Sequence, residues 1–440
     1  MANFRWSRAV ILLVLSGLAY DSSREPAALI DNIHNARQGS NTNSNWALLA
    51  ETEQGEGAAL AYLTRTNSIH WLGIAANMGY PAAQYRLAVL HPDAEIRQYW
   101  LYKAAAKGVA AAQQDLYWQL VDTDPKQALS WLQRAAQQDA ASALILASLE
   151  WQTGNYAEAR KNIERAQQRG SQQADLFLQA LDDNQQPVAH SPLCRQQLLP
   201  VTTSLTGLLQ AYQFKKQFSL DKTLANLPVC FANTRIFTDT QLQCGENWND
   251  LPRLGCDEDF LARQLQDDDF THLVVFSSQG KANVNNGIMY LDQHDTYQVF
   301  VHELAHFAGF VDEYPLSTAL AQQVCSLDNQ LPNLVIKDVK KTQTPTLPNR
   351  WQDVSPAQMV KARTCDNTRF QAYKPVSDFT FMEFYDEGTV PGLYLSLWQQ
   401  QLATSNGILP AYINLAQAAE QSGNRKLSAF WWQRYQDFQH

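Results

Sequence analysis

Tyr297-Gln298-Val299-Phe300-Val301-His302-Glu303-Leu304-Ala305-His306-Phe307-Ala308-Gly309-Phe310-Val311-Asp312-Glu313-Tyr314 is the stretch on which the reading of this chain turns. Two histidines at i and i+4 lie one turn apart on one face of a helix, so His302 and His306 can reach a single metal ion. Glu303 follows the first histidine directly, where a carboxylate can hold and deprotonate a water molecule. Val299, Phe300 and Val301 before the motif, with Leu304, Ala305 and Phe307 inside it, suit a helix buried on its other faces. With 9 histidines in 440 residues, chance gives such an H-E-x-x-H string an expectation of only ~0.006. Zinc with three protein ligands keeps a fourth position for water and lowers its pKa to about 7. Structural zinc sites are instead closed by four ligands, and no cysteine cluster lies near this motif. An open catalytic site is therefore the expectation.

Upstream of the motif the texture is that of a sheet. Thr271 to Ser278 (THLVVFSS) is a short apolar, β-branched run, as a buried strand should be. Asn283 to Leu291 (NVNNGIMYL) follows, with Asn286-Gly287 as a turn signal. Downstream, Leu331 to Pro356 is rich in Pro, Thr and Asn and reads as a long surface connection. All six cysteines (Cys194, Cys230, Cys244, Cys256, Cys325 and Cys365) fall in this part of the chain. An even number confined to one region suggests disulfides. Spacing alone points to Cys244 with Cys256 and Cys325 with Cys365, among 15 arithmetically allowed pairings.

Residues 71 to 185 carry an internal repeat. Its copies start at Trp71 (WLGIAANMGYPAAQYRLAVL), Trp100 (WLYKAAAKGVAAAQQDLYW), Trp131 (WLQRAAQQDAASALILASL) and Asn162 (NIERAQQRGSQQADLFL). The helix-ending position recurs in phase at Gly79, Gly108, Asp139 and Gly170. Each unit is an apolar-faced helix, a turn and a second Ala- and Leu-rich helix. One such hairpin cannot bury its own face, so copies stack into a solenoid. The units resemble tetratricopeptide repeats, especially the Sel-type variants, which implies a surface for a protein partner. Trp46 onward (WALLAETEQGEGAALAYL) reads as a preceding helix or cap. A further helical pair, Ala411 to Phe438, closes the chain with Gly423-Asn424 at its turn.

The N-terminus reads as a secretory signal peptide: Arg5 and Arg8, then the apolar run Ala9 to Ala19 with a small-x-small ending. An uncleaved anchor is the alternative, although the run is shorter than the roughly 20 residues a spanning helix needs. The formal net charge of -9 argues against a nucleic-acid-binding surface. After signal cleavage no membrane association is expected.

The extended motif resembles that of the metzincin metallopeptidases, H-E-x-x-H-x-x-G-x-x-H or D. Its Asp-Glu-Tyr ending is also similar to that of IgA-peptidase-type metallopeptidases. The resemblance implies a zinc ion held by His302, His306 and Asp312, Glu303 as general base and Gly309 as the turn out of the helix. Glu313 and then Glu383 are the other carboxylates in view for the third ligand. It further implies a methionine turn beneath the metal, for which Met382 is the candidate, an ordinary core methionine being the alternative. Phe384 occupies the place of an assisting tyrosine, so Tyr385, one residue on, is the catalytic candidate. The strand before the helix, Gly287 to Leu291, would border the cleft and pair with substrate along its edge.

The expectation is thus a multidomain chain, an all-α repeat solenoid joined to an α+β metzincin-like zinc peptidase domain. Its segments would be a signal peptide (1–19), repeats (20–185), a peptidase domain (190–400) and a helical pair (405–440). The function expected is that of an exported, periplasmic or secreted, zinc-dependent endopeptidase acting on protein or peptide substrates. A non-catalytic zinc-containing repeat scaffold and an envelope amidase or peptidoglycan hydrolase are the rival readings.

Overall fold

Paired alanines at repeat spacing let helices approach closely, and the computed structural model shows the result. It describes residues 68–439 apart from 189–193, 249–252, 278, 327–329, 341–345, 353–356, 386 and 405–406. The signal peptide and the segment from Trp46 lie outside the described residues. The chain divides into two compact units, one made of the described residues up to Glu150 together with Ala157–Asp175, the other of Trp151–Tyr156 with Leu176–His440.

Among the described residues eight helices follow one another: α1 (Ile69–Asn77), α2 (Pro81–Leu90), α3 (Ala94–Ala106), α4 (Ala110–Leu120), α5 (Pro125–Ala135), α6 (Ala140–Gln152), α7 (Tyr156–Gln168) and α8 (Gln172–Asp183). Ala75, Ala76, Ala104, Ala105, Ala135 and Ala136 are each at most 1% exposed, at the places where neighbouring helices touch. The repeat phase also appears in hydrogen bonding. Gln84 Nε2 donates to Ala76 O at 3.1 Å, and Gln113 Nε2 donates to Ala105 O at 2.9 Å, both in buried surroundings. Gly79, Gly108 and Gly170 take positive φ of +90, +89 and +81° at the recurring turn. Asp139 replaces glycine there and instead accepts from Ser142 N, capping α6.

The second unit is built on a mostly parallel sheet. Its strands are β1 (Gln196–Thr202), β2 (Val229–Phe231), β3 (Arg235–Ile236), β6 (His272–Ser277), β7 (Asn283–Asn285) and β8 (Ile288–Asp292). They run in the order β2-β1-β6-β8-β7, with β3 also beside β1 and only β7 antiparallel. Side chains alternate between two cores. Leu198, Val274, Phe276, Met289 and Leu291 face α9 (Leu205–Leu220) and α11 (Tyr297–His306), in a core that also takes in Tyr394, Leu397 and Trp398 of α13 (Gly392–Thr404). Leu199, Val201, Leu273, Val275, Ile288 and Tyr290 join α10 (Glu258–Gln264), α14 (Tyr412–Gln421) and α15 (Arg425–Gln439) on the other face. Burial on both faces explains the near-continuous apolar runs of β6 and β8. The closing helical pair therefore has a definite packing role: Tyr412, Leu415 and Trp431 are buried over the sheet.

Two smaller sheets join this unit among the described residues. β4 (Cys244–Gly245) pairs with β5 (Gly255–Cys256), and the paired Cys244 and Cys256 form a disulfide. β9 (Val335–Asp338), β10 (Val360–Ala362) and β11 (Phe370–Lys374) form an antiparallel sheet in the order β10-β11-β9. The disulfide Cys325–Cys365 ties α12 (Thr318–Val324) to that sheet through a core that includes Leu316, Leu334, Ile336 and Ala372. Cys194–Cys230 joins the starts of β1 and β2, and no cysteine is left free.

The structure corrects two expectations. The stretch from Leu331 is no mere surface connection, since Asn333, Leu334 and Trp351 are 0% exposed and β9 lies within it. Leu334, Val335 and Ile336 are buried one after another. The boundary near residue 190 also falls inside the second unit. Lys215 pairs with Asp183 at 2.7 Å, and Asn184 exchanges hydrogen bonds with Thr234, so the end of α8 belongs with the sheet. Among the described residues no helix is long and apolar enough to cross a membrane.

Candidate metal centre

Thr296 opens α11 by accepting from Val299 N, and the helix carries His302 and His306 one turn apart. It ends in the crossed hydrogen bonds Phe310 N to Ala305 O (3.2 Å) and Gly309 N to His306 O (2.9 Å). Gly309 sits at φ +80°, where a side chain would be strained, and sends the chain back toward the histidines. Three residues later Asp312 arrives between them. Its Oδ1 lies 3.1 Å from His302 Nε2 and 3.3 Å from His306 Nε2. The imidazole rings stand almost perpendicular, with centroids 5.0 Å apart.

Backbone carbonyls decide which nitrogen of each ring faces the centre. His302 Nδ1 is 2.7 Å from Phe381 O, and His306 Nδ1 is 2.8 Å from Phe310 O. A carbonyl can only accept, so Nδ1 carries the proton in each neutral ring and Nε2 presents a lone pair. Two nitrogen lone pairs and a carboxylate oxygen thus converge, and Asp312 Oδ1 is buried without a hydrogen-bond donor when both rings are neutral. Such an arrangement is repulsive unless a cation or a proton sits among the three atoms. Ligand atoms on zinc, with bonds of about 2.0–2.2 Å at tetrahedral angles, lie about 3.3–3.5 Å apart. The observed spacings and the mixed nitrogen–oxygen donor set therefore fit a zinc ion held by His302, His306 and Asp312.

The electrostatics agree. Burial alone would lower the His306 pKa, but the charge and hydrogen bond of Asp312, aided by Glu303, push it up to about 9. Burial would raise Asp312, yet the two imidazoles hold it well below the usual carboxylate range. The centre attracts positive charge. Glu303 is 7% exposed, with Oε2 4.0 Å from His306 Nε2. Burial raises its pKa, partly offset by the two histidines, which suits a carboxylate that must take up and return a proton.

The neighbouring carboxylates are already engaged. Glu313 is 0% exposed and accepts from Asn333 Nδ2 (2.9 Å), Thr380 Oγ1 (2.5 Å) and Tyr394 OH (2.5 Å). Glu383 pairs with Lys374 at 2.5 Å. Neither joins the His302–His306–Asp312 group. Met382 is fully buried, its carbonyl accepts from Glu313 N, and the preceding carbonyl, of Phe381, orients His302. Tyr385 is 54% exposed, whereas the Tyr314 phenol feels the charge of the Asp312 carboxylate. Burial, then the charge of nearby Asp312, raise the pKa of that phenol and keep it protonated. The Asp-Glu-Tyr ending contained this tyrosine, but its role depends on the turn at Gly309.

The strand expected to border a cleft is also corrected. Ile288–Asp292 is paired on both sides, by β6 and β7, because Asn286-Gly287 forms a hairpin and folds β7 onto its flank. Asn286 takes φ +48° at that turn. The antiparallel edge is therefore β7, which among the described residues pairs with β8 alone. β7 packs against α11, with Val284 lying on the core that holds Phe300 and Leu304.

Comparison with protein-family models and with curated proteins returns no match.

Proposed function

We propose that this chain is an exported zinc-dependent endopeptidase of metzincin type, its catalytic unit following tetratricopeptide- or Sel-type repeats. The observation that carries the reading is the convergence of His302 Nε2, His306 Nε2 and Asp312 Oδ1 with Glu303 beside them. Three ligands leave room for water and a substrate carbonyl. Zinc bound there supplies a Lewis acid for both.

The remaining work falls to side chains and backbone of the chain itself. Glu303 accepts a proton from the attacking water and delivers it to the leaving amine. The unpaired side of β7 aligns an extended peptide by strand pairing. The Tyr314 hydroxyl, kept protonated by burial and by the charge of Asp312, is the phenol we assign to stabilise negative charge on the carbonyl oxygen. The three disulfides, with no free cysteine, suit an oxidising compartment.

A peptide-library digest with and without chelator tests this reading, paired with metal analysis of the wild type and of Glu303→Ala. The expected outcome is cleavage by the zinc-loaded wild type, none with chelator, and loss of cleavage in Glu303→Ala with zinc retained. Wild-type turnover by zinc-bearing Glu303→Ala would overturn the mechanism. Cleavage of amide-linked cell-wall fragments but of no peptide would instead assign an envelope amidase.

A further inference from the structure

Asp312 lies beyond the end of α11, where a chain segment is ordinarily free to move. We propose that Asn333 and Thr364 are positioning residues that clamp residues 311–313 and so pre-build the place of Asp312 in the metal centre. This rests on the zinc-centre reading above.

Asn333, 0% exposed, treats Val311 as a sheet partner would. Its Oδ1 accepts from Val311 N at 3.0 Å, and its Nδ2 donates to Val311 O at 2.7 Å. The same Nδ2 donates its second hydrogen to Glu313 Oε1 at 2.9 Å. One amide therefore grips the residue before Asp312 and the residue after it. Thr364 Oγ1 donates to the carbonyl of Asp312 itself at 2.8 Å and is likewise 0% exposed at the residue level. Glu313 N donates to Met382 O at 2.9 Å, and Glu313 O accepts from Arg363 N at 3.1 Å.

The clamp leaves the Asp312 side chain its own rotations and little else. A ligand on a loose segment must be ordered as the ion binds, and that lost entropy weakens binding. Here the ordering is done by folding, through buried hydrogen bonds that are costly to leave unmade. None of these partners touches the ion's donor atoms, so their influence on the ion runs through Asp312.

The test is zinc affinity of the full chain, by competition with a chromogenic chelator, for wild type, Asn333→Ala and Thr364→Val. Affinity is expressed per folded molecule, with folding followed by circular dichroism. Asn333→Ala is expected to weaken zinc binding by about 10- to 100-fold, and Thr364→Val to do so more mildly. Cobalt substituted for zinc should show reduced visible absorption in both, as the ligand field loses its tetrahedral form. If both variants lose thermal stability but keep wild-type zinc affinity and cobalt spectrum, the residues are merely structural and the proposal falls. Should Asn333→Ala not fold, an unchanged Thr364→Val overturns the clamp as stated. Failure of the wild type to take up zinc is a separate result, and it overturns the metal centre itself.

Discussion

The helical array and the sheet-bearing unit reach order by opposite means. In the array, contacts are local: the buried bonds of Gln84 and Gln113 each reach back only to the end of the preceding helix. In the sheet-bearing unit they are distant, as when His302 meets Phe381 or Glu313 meets Tyr394, 79 and 81 residues along the chain. The cysteines follow the same division, with bridges closing separations of 36, 12 and 40 residues in the second unit. A stack of hairpins is stabilised by its nearest neighbours and needs no staple. A site assembled from remote segments carries the loop-closure entropy of each, which a disulfide removes from the unfolded chain.

The sharpest separation of the two regions is chemical. Glu303→Ala should lower peptide turnover by about 10²–10⁴-fold, with the array's helicity and the zinc content unchanged. Next in size, replacing Cys325 and Cys365 by serine should cost about 2–5 kcal/mol in the second unit. Urea unfolding followed separately in the two regions should show the array transition unmoved. Ala104→Leu makes the converse break. Ala104 is 0% exposed between helices, so overpacking should destabilise the array by about 1–3 kcal/mol. Zinc affinity should stay at the wild-type value, and a parallel loss would contradict the independence of the two regions.

The smallest effect concerns pH. Burial, opposed by the Asp292 amide hydrogen bond but reinforced by the charges of Asp292 and Glu303, raises the Asp295 pKa to about 6. A raised carboxyl favours folding in its neutral form, so its stabilisation is present in acid and is lost as pH rises through about 6. Asp295→Asn should therefore raise the melting temperature at pH 8 and leave it nearly unchanged at pH 4. An equal shift at both pH values would show that ionisation is not the cause.

Much of this was legible in the residues. The i, i+4 histidines lie within one helix, so spacing alone brought His302 and His306 into view, and the resemblance of the longer motif added Asp312 with Glu313 and Glu383 as rivals. The repeat phase was readable for the same reason, since each turn glycine and alanine pair serves its immediate neighbours. The bridges Cys244–Cys256 and Cys325–Cys365 also followed spacing. Other features were hidden. Nothing near Asn333 marks it as a partner of Val311, and the Asn286-Gly287 turn signal did not say that the hairpin would cover the flank of Gly287 to Leu291. The closing helices read as one more repeat because their apolar faces have helical period whatever surface they meet.

What the sequence determined by itself is the chemistry on offer: a helix bearing two histidines and a glutamate, an acidic residue after a glycine turn, and a stack of alanine-lined hairpins. The tertiary structure alone decided which carboxylate meets the histidines. Asp312 and Glu313 are adjacent and chemically alike, yet one lies at the imidazoles and the other is held by Asn333, Thr380 and Tyr394. The reason is directional. Successive side chains leave the backbone on different sides, and the partners that choose between those sides come from segments 20 to 81 residues away.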